Sequence, residues 1–150
     1  MPLKDLIDHE RIAVLDAPLD RDAVLDAAAR LLAGSDDGAA PIAECLRQRE
    51  RLGCTAIGHG VAIPHGRCGS FGEARAAFLR LSPAVDFGAG DGEPVDLVFA
   101  MTVPRHFTQQ HLQLLSELAE HFADPGFRAA LRGAGDAAAL ARLLEAGRAP

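Results

Sequence analysis

Val95-Asp96-Leu97-Val98-Phe99-Ala100-Met101-Thr102-Val103 is almost continuously apolar and is followed by Pro104. A strand with one wet face alternates apolar and polar residues, so a run without alternation fits a central strand covered on both faces. Proline cannot donate to a sheet ladder and closes it. Such a strand requires helices on each side of its sheet. A chain of 150 residues, 49% of them hydrophobic, has the material for one such domain with a full core, expected to span residues 1–150.

Helical patterns surround this strand. Asp20 is placed to cap a helix over 21–33, where Val24, Leu25, Ala28, Leu31 and Leu32 form one apolar face before Gly34 stops it. Pro41 opens a second helix, whose stripe Ile42, Cys45, Leu46 continues onto Arg49 before Gly53. A guanidinium on that stripe either meets a carboxylate such as Glu50 or is available to an anion. A long helix is expected over 107–123, with Leu112, Leu115, Ala119 and Phe122 as its core stripe and His111 at the border of core and solvent. Asp124-Pro125-Gly126 breaks it, a short helix follows over 127–131, and Asp136 caps a last one over 137–146. Strands are expected around 11–15 and 74–81, with a loop over 86–93. Interleaved strands and helices predict an α/β single-domain sandwich, a mixed sheet flanked by helices on both sides.

The chemistry concentrates in Gly53-Cys54-Thr55-Ala56-Ile57-Gly58-His59-Gly60-Val61-Ala62-Ile63-Pro64-His65-Gly66-Arg67. Val61, Ile63 and His65 alternate like residues on one face of a strand, and Pro64 is expected to end the ladder there. The imidazole is thus presented at a strand end, while Gly58, Gly60 and Gly66 permit tight turns and close approach to the backbone. From spacing alone, a merely solvated edge histidine fits equally well.

Composition narrows the chemistry. The formal charge is −6 and the basic residues are scattered, which argues against a nucleic-acid surface. No segment has the length and apolarity of a membrane span, and the N-terminus lacks the layout of a signal peptide, so a cytoplasmic location is expected. Cys45, Cys54 and Cys68 form no Cys-x-x-Cys and fit small core or turn residues in a reducing compartment better than a disulfide framework. The six histidines show no zinc-ligand spacing, and neither a phosphate-cradling Gly-x-x-x-x-Gly-Lys-Ser/Thr loop nor a Gly-x-Ser-x-Gly elbow occurs. A site without metal, nucleotide or other cofactor is expected. An imidazole can itself be the nucleophile toward phosphorus, provided that cationic or N–H donors such as Arg49, Thr55 and His111 converge on the phosphoryl oxygens.

The run Arg49-Glu50-x-x-x-Cys54-Thr55-x-Ile57-Gly58-x-Gly60-Val61-Ala62-Ile63-Pro64-His65-Gly66 resembles the signature of the fructose/mannitol class of enzyme IIA phosphocarriers of the phosphoenolpyruvate-dependent phosphotransferase system. Gly92-Glu93-Pro94-Val95-Asp96-Leu97-Val98-Phe99-Ala100 and His111-Leu112 resemble its later blocks, and Ile63-Pro64-His65-Gly66-Arg67 looks most like the nitrogen-regulatory branch. The resemblance implies His65 as the residue phosphorylated at Nε2, His111 as the second active-site histidine and Arg49 as support for phosphoryl transfer. Thr55, Gly58, Gly60 and Gly66 are expected on the substrate side, with the donor docking over the Gly58–Gly66 rim. The family usually has Ser-Thr where this chain has Cys54-Thr55. A thiol donates poorly, which shifts the expected hydroxyl contact to Thr55.

The implied partners are an HPr-like phosphocarrier as donor and regulatory targets such as a sensor kinase or potassium transporter. A homodimer stays open. The alternatives are a sugar-specific IIA relay to a IIB subunit, or a silent protein-binding module on the same fold.

Overall fold

The computed structural model describes residues 3–69, 71–106 and 109–147. Its elements are α1 (Leu3–Leu6), a 3₁₀ turn (His9–Arg11), β1 (Ile12–Asp16), α2 (Arg21–Ala33), α3 (Ala39–Leu52), β2 (Ala56–Gly58), β3 (Val61–Ala62) and β4 (His65–Gly66). They continue as β5 (Arg75–Val85), β6 (Val95–Thr102), α4 (Gln109–Ala123), α5 (Pro125–Gly133) and α6 (Ala137–Ala146).

Local chemistry sets several of these boundaries. The Asp20 carboxylate accepts from the Ala23 N–H at 2.8 Å, and Gly34 closes α2 at φ 81°, a left-handed conformation that costs glycine no Cβ clash. α3 starts at Ala39, two residues before the expected Pro41. Pro41 still lies in the first turn, where no intrahelical N–H is needed. Pro125 opens α5 behind its cap Asp124 in the same way. Of the helix expected from 107, residues 107 and 108 lie outside the described residues.

The sheet runs β1-β5-β6-β3-β2, with β4 also paired to β6. β5 and β6 are antiparallel, whereas β1 on β5 and both β3 and β4 on β6 are parallel, so the sheet is mixed. β6 is the central strand that its apolar run demands. Phe78, Leu97, Phe99 and Met101 point into a core closed by α4, α5 and α6. Their alternates Ala77, Leu79, Val98 and Ala100 point into a second core closed by α2 and α3. Helices therefore cover both faces.

Pro64 interrupts the ladder instead of ending it. Val61 pairs with Leu97 and Ala62 with Val98, and the same register resumes with His65 on Met101 and Gly66 on Thr102. Proline has lost only its donor; its carbonyl accepts from the Met101 N–H at 2.8 Å.

α4 is rotated from the expected stripe. It buries His111, Leu114, Leu118 and Phe122, while Leu112 is 68% exposed. Leucines lie on both sides of the helix, and the aromatic contacts of Phe122 select the face. Its ring lies 6.4 Å from Phe78, 5.9 Å from Phe99 and 5.5 Å from Phe127, centroid to centroid. This packing turns His111 inward. Replacing Phe122 by Ala is expected to cost about 3–5 kcal/mol of unfolding free energy, measurable by urea titration.

Candidate functional site

β4 and β6 run parallel, and their carboxyl ends open between α3 and α4, where ligand crevices form in sheets of this kind. A cavity of about 660 Å³ lies there, and His65, His111 and Arg49 all line it. Alternation along the strand puts His65 on the α4 side, edge to face with His111, with ring centroids 5.2 Å apart. Arg49 reaches the cavity from the last turn of α3, where its Nη1 donates to the Gly53 carbonyl at 2.8 Å. Arg51 and Arg67 also line it, and among the described residues no carboxylate does. Arg51 is paired with Glu44 at 3.4 Å outside the wall, and Arg49 and Arg67 add two further guanidiniums, which makes the cavity a place for an anion.

The His65 ring is oriented by its own backbone. Nδ1 lies 2.7 Å from the Ile63 carbonyl oxygen. A carbonyl only accepts, so Nδ1 carries the proton and Nε2 keeps its lone pair. Burial lowers the His65 pKa, the Ile63 carbonyl opposes this by favouring the charged ring, and Arg49 lowers it further. His111 is pushed down to about 4, by burial first and then by His65, Arg67 and Arg49. Its Nε2 is buried without a hydrogen-bond partner among the described residues. A neutral imidazole can leave such a nitrogen unpaired at modest cost; an imidazolium could not.

The other expected contacts lie elsewhere. The Thr55 hydroxyl is buried and donates to Glu50 Oε1 at 2.9 Å, and the Thr55 N–H reaches the same carboxylate. Glu50, weighed above as a partner for Arg49, is therefore held by Thr55. Gly58 and Gly60 sit at the opposite end of β3. The Asp96–Arg132 ion pair closes around Gly60, leaving a Cβ there 2.5 Å from Arg132 and 2.9 Å from Asp96. Gly66 does adjoin His65 and faces α3. The structure thus gathers His65, His111, Arg49 and Gly66 on one cavity. Thr55 stands next to them, its carbonyl accepting from the Ile63 N–H at 3.0 Å while its hydroxyl is held by Glu50, and Gly58 and Gly60 lie at the far end of β3. The Gly58–Gly66 rim is not one surface.

Arg67 and Arg51 had no expected function. Arg67 was legible as the second residue beyond His65 in an extended segment, hence on its side; Arg51 carries no such periodic signal. The cysteine reading also changes. Cys45 on α3 and Cys68 beyond β4 are joined in a disulfide with Cα atoms 5.7 Å apart, whereas Cys54 is free and its Sγ donates to the Phe87 carbonyl at 3.1 Å. Packing of α3 on β4 brings the pair together, and no short motif announces it.

Residues 5–147 match the family Phosphoenolpyruvate-dependent sugar phosphotransferase system, EIIA 2. The chain belongs to this family. It is similar to the nitrogen regulatory protein of Bradyrhizobium diazoefficiens, 36% identical over 145 residues that cover 96% of this chain and 95% of that protein. The crystal structure of nitrogen regulatory protein IIA-Ntr from Neisseria meningitidis superposes with a TM-score of 0.85 at 37% identity, covering 95% of this chain and 98% of that one. Mannitol enzyme IIA of Escherichia coli, solved in complex with phosphorylated enzyme IIB, shares the fold at a TM-score of 0.76 and 20% identity, over 95% of this chain and 98% of that one. Membership of this IIA family supports a phosphocarrier function. Among the described residues, no helix is long and apolar enough to cross a membrane.

The lowered His111 pKa has a thermodynamic consequence. The unfolded chain binds a proton near pH 6.5, the folded ring only near 4, so this contribution to stability is present above 6.5 and is lost as pH falls toward 4. Between pH 7 and 5 the loss from His111 is about 2 kcal/mol. Urea titrations at the two pH values should show that loss in the wild type, reduced by about this amount in His111→Asn.

Proposed function

We propose that residues 1–150 act as a single IIA type-2 phosphocarrier domain in which His65 Nε2 takes a phosphoryl group from an HPr-like phosphohistidine carrier. The observation that carries this reading is the Nδ1–H bond to Ile63, which leaves Nε2 as the lone pair at a cavity lined by three guanidiniums. The donor's P–N bond breaks, its electron pair stays on the donor imidazole, and the Nε2 lone pair forms the new N–P bond. Little covalent work falls to the rest of the site. It holds two imidazoles in line and stabilises the equatorial oxygens, with Arg49 and Arg67 as cations and His111 Nε2–H as a neutral donor. Gly66 keeps the strand beside His65 free of side-chain bulk. No cofactor or metal takes part.

The mouth of this cavity, bordered by Leu52 at 86% exposure, is the docking face for the carrier. Thr55 acts indirectly, by fixing Glu50 behind Arg49, and Gly58 and Gly60 shape the far turn. The phosphoryl group adds roughly −1.5 to −2 charges at a cationic face, so a target's affinity follows the phosphorylation state. Similarity to nitrogen regulatory proteins over nearly the whole chain favours regulatory targets, such as a sensor kinase or potassium transporter, and a cytoplasmic location. The mannitol neighbour's phosphorylated IIB partner motivates the second reading, a relay to a IIB subunit.

Incubation with phosphoenolpyruvate, enzyme I and an HPr-like carrier should place an acid-labile, base-stable phosphate on the wild type and none on His65→Ala. Arg49→Ala should fold normally by circular dichroism and accept phosphate about 10²-fold more slowly. Near-normal transfer in Arg49→Ala removes that guanidinium from the reaction. An unlabelled, folded wild type favours the silent binding module.

A further inference from the structure

The Cys45–Cys68 disulfide joins the two elements that build the site. Cys45 lies on α3 one turn before Arg49, and Cys68 directly follows Arg67. The bond therefore ties the helix carrying Arg49 to the segment carrying His65 and Arg67. Two further observations place it in the working part of the molecule. Cys45 lines the same cavity as His65. Gly66 faces the sulfur pair directly: a Cβ there would meet Cys45 Sγ at 2.8 Å and Cys68 Sγ at 3.4 Å. The disulfide is thus seated against the strand residue next to His65.

We propose that the Cys45–Cys68 pair is a thiol-exchange site for low-molecular-weight thiols and that its disulfide form is the one fast in phosphoryl transfer. The inference rests on the phosphocarrier reading above. A thiolate of that class enters the cavity and attacks Cys45 Sγ, and the electron pair of the broken S–S bond leaves on Cys68, which takes up a proton. A second thiolate attacks the external sulfur of the mixed disulfide and releases Cys45, which is protonated in turn. The protein gains two electrons and two protons, and the reductant departs as its own disulfide. The guanidiniums of Arg49, Arg51 and Arg67 favour this exchange, because a cationic surrounding stabilises thiolates and draws in anionic thiols.

The effect on His65 follows from packing. Once unbonded, the sulfurs must separate to roughly 3.5–4 Å, the spacing of non-bonded heavy atoms. Gly66 lies against the pair, so the separation is shared between rotation of the two cysteine side chains and a shift of the last turns of α3 or of the segment after β4. Arg49 and Arg67 then move relative to His65. Misplacement of about 1 Å can cost up to about 10²-fold in a positioning reaction, and about tenfold slowing is expected here. In a reducing compartment, moreover, a disulfide is characteristically a transient or sensing one.

The test uses Cys54→Ser protein, so that this pair holds the only cysteines, and an HPr-like carrier phosphorylated beforehand and freed of enzyme I. Oxidised and dithiothreitol-reduced forms are verified by iodoacetamide mass labelling, zero against two adducts, and by circular dichroism. The oxidised form should accept phosphate about tenfold faster, reoxidation should restore the rate, and the Cys45→Ser/Cys68→Ser variant should match the reduced form and ignore redox treatment. Rates equal within twofold, a faster reduced form, a redox-responsive double variant, or a pair that stays fully alkylatable after oxidant overturns the inference. Equal labelling leaves the phosphocarrier reading intact and removes only the switch, whereas absence of labelling in both forms removes both.

Discussion

The hydrogen bond from His65 Nδ1–H to the Ile63 carbonyl decides which ring nitrogen faces the cavity, and much of the structure serves to make that bond and keep it. The backbone must turn His65 toward α4 while leaving the carbonyl two residues earlier within reach of its own ring. Pro64 supplies this. It removes one N–H from the ladder and restricts Ile63 to extended backbone, yet its carbonyl still bonds Met101 and the register to β6 survives. A strand anchored on both sides of the interruption holds the imidazole more precisely than a loop would.

Electrostatics then suit this geometry to phosphoryl acceptance. The same cations that attract a phosphoryl group oppose a proton on either histidine, and burial acts in the same direction. Both rings are therefore neutral near pH 7, which suits the nucleophile and donor roles proposed for them. The proposed transfer would bring a negative charge into a cavity whose wall holds no carboxylate among the described residues. The empty and the proposed phosphorylated states would differ most in charge, at an opening bordered by arginines and the exposed Leu52. A surface of that kind lets partners discriminate between the two states.

Much of this was legible in the sequence where the signal is local. Asp20 and Gly34 bound α2 because caps act within a turn, and the unalternating run of β6 required helices on both faces. His65, Arg49 and His111 were recognised by type and by family resemblance, and the fold does bring them to one cavity. What escaped depends on contacts between distant segments. Thr55 looked free to meet phosphate because nothing in its neighbourhood shows that Glu50 turns back to bind it. The leucines of α4 admit two stripes, and only the rings of Phe78, Phe99 and Phe127 choose the one that exposes Leu112 and buries His111. Gly58 and Gly60 belong to a turn closed by Arg132, 72 residues beyond Gly60, and Cys45 finds Cys68 across 23 residues with no motif to mark the pair.

The central claim is that His65 waits as a neutral ring with its proton on Nδ1. Long-range ¹H–¹⁵N correlation spectra of the unphosphorylated protein at pH 7 read this directly, since protonated and bare imidazole nitrogens differ widely in ¹⁵N shift. A protonated-type shift at Nδ1 and a bare-type shift at Nε2 are predicted. The opposite tautomer, or two protonated nitrogens at that pH, would contradict the account.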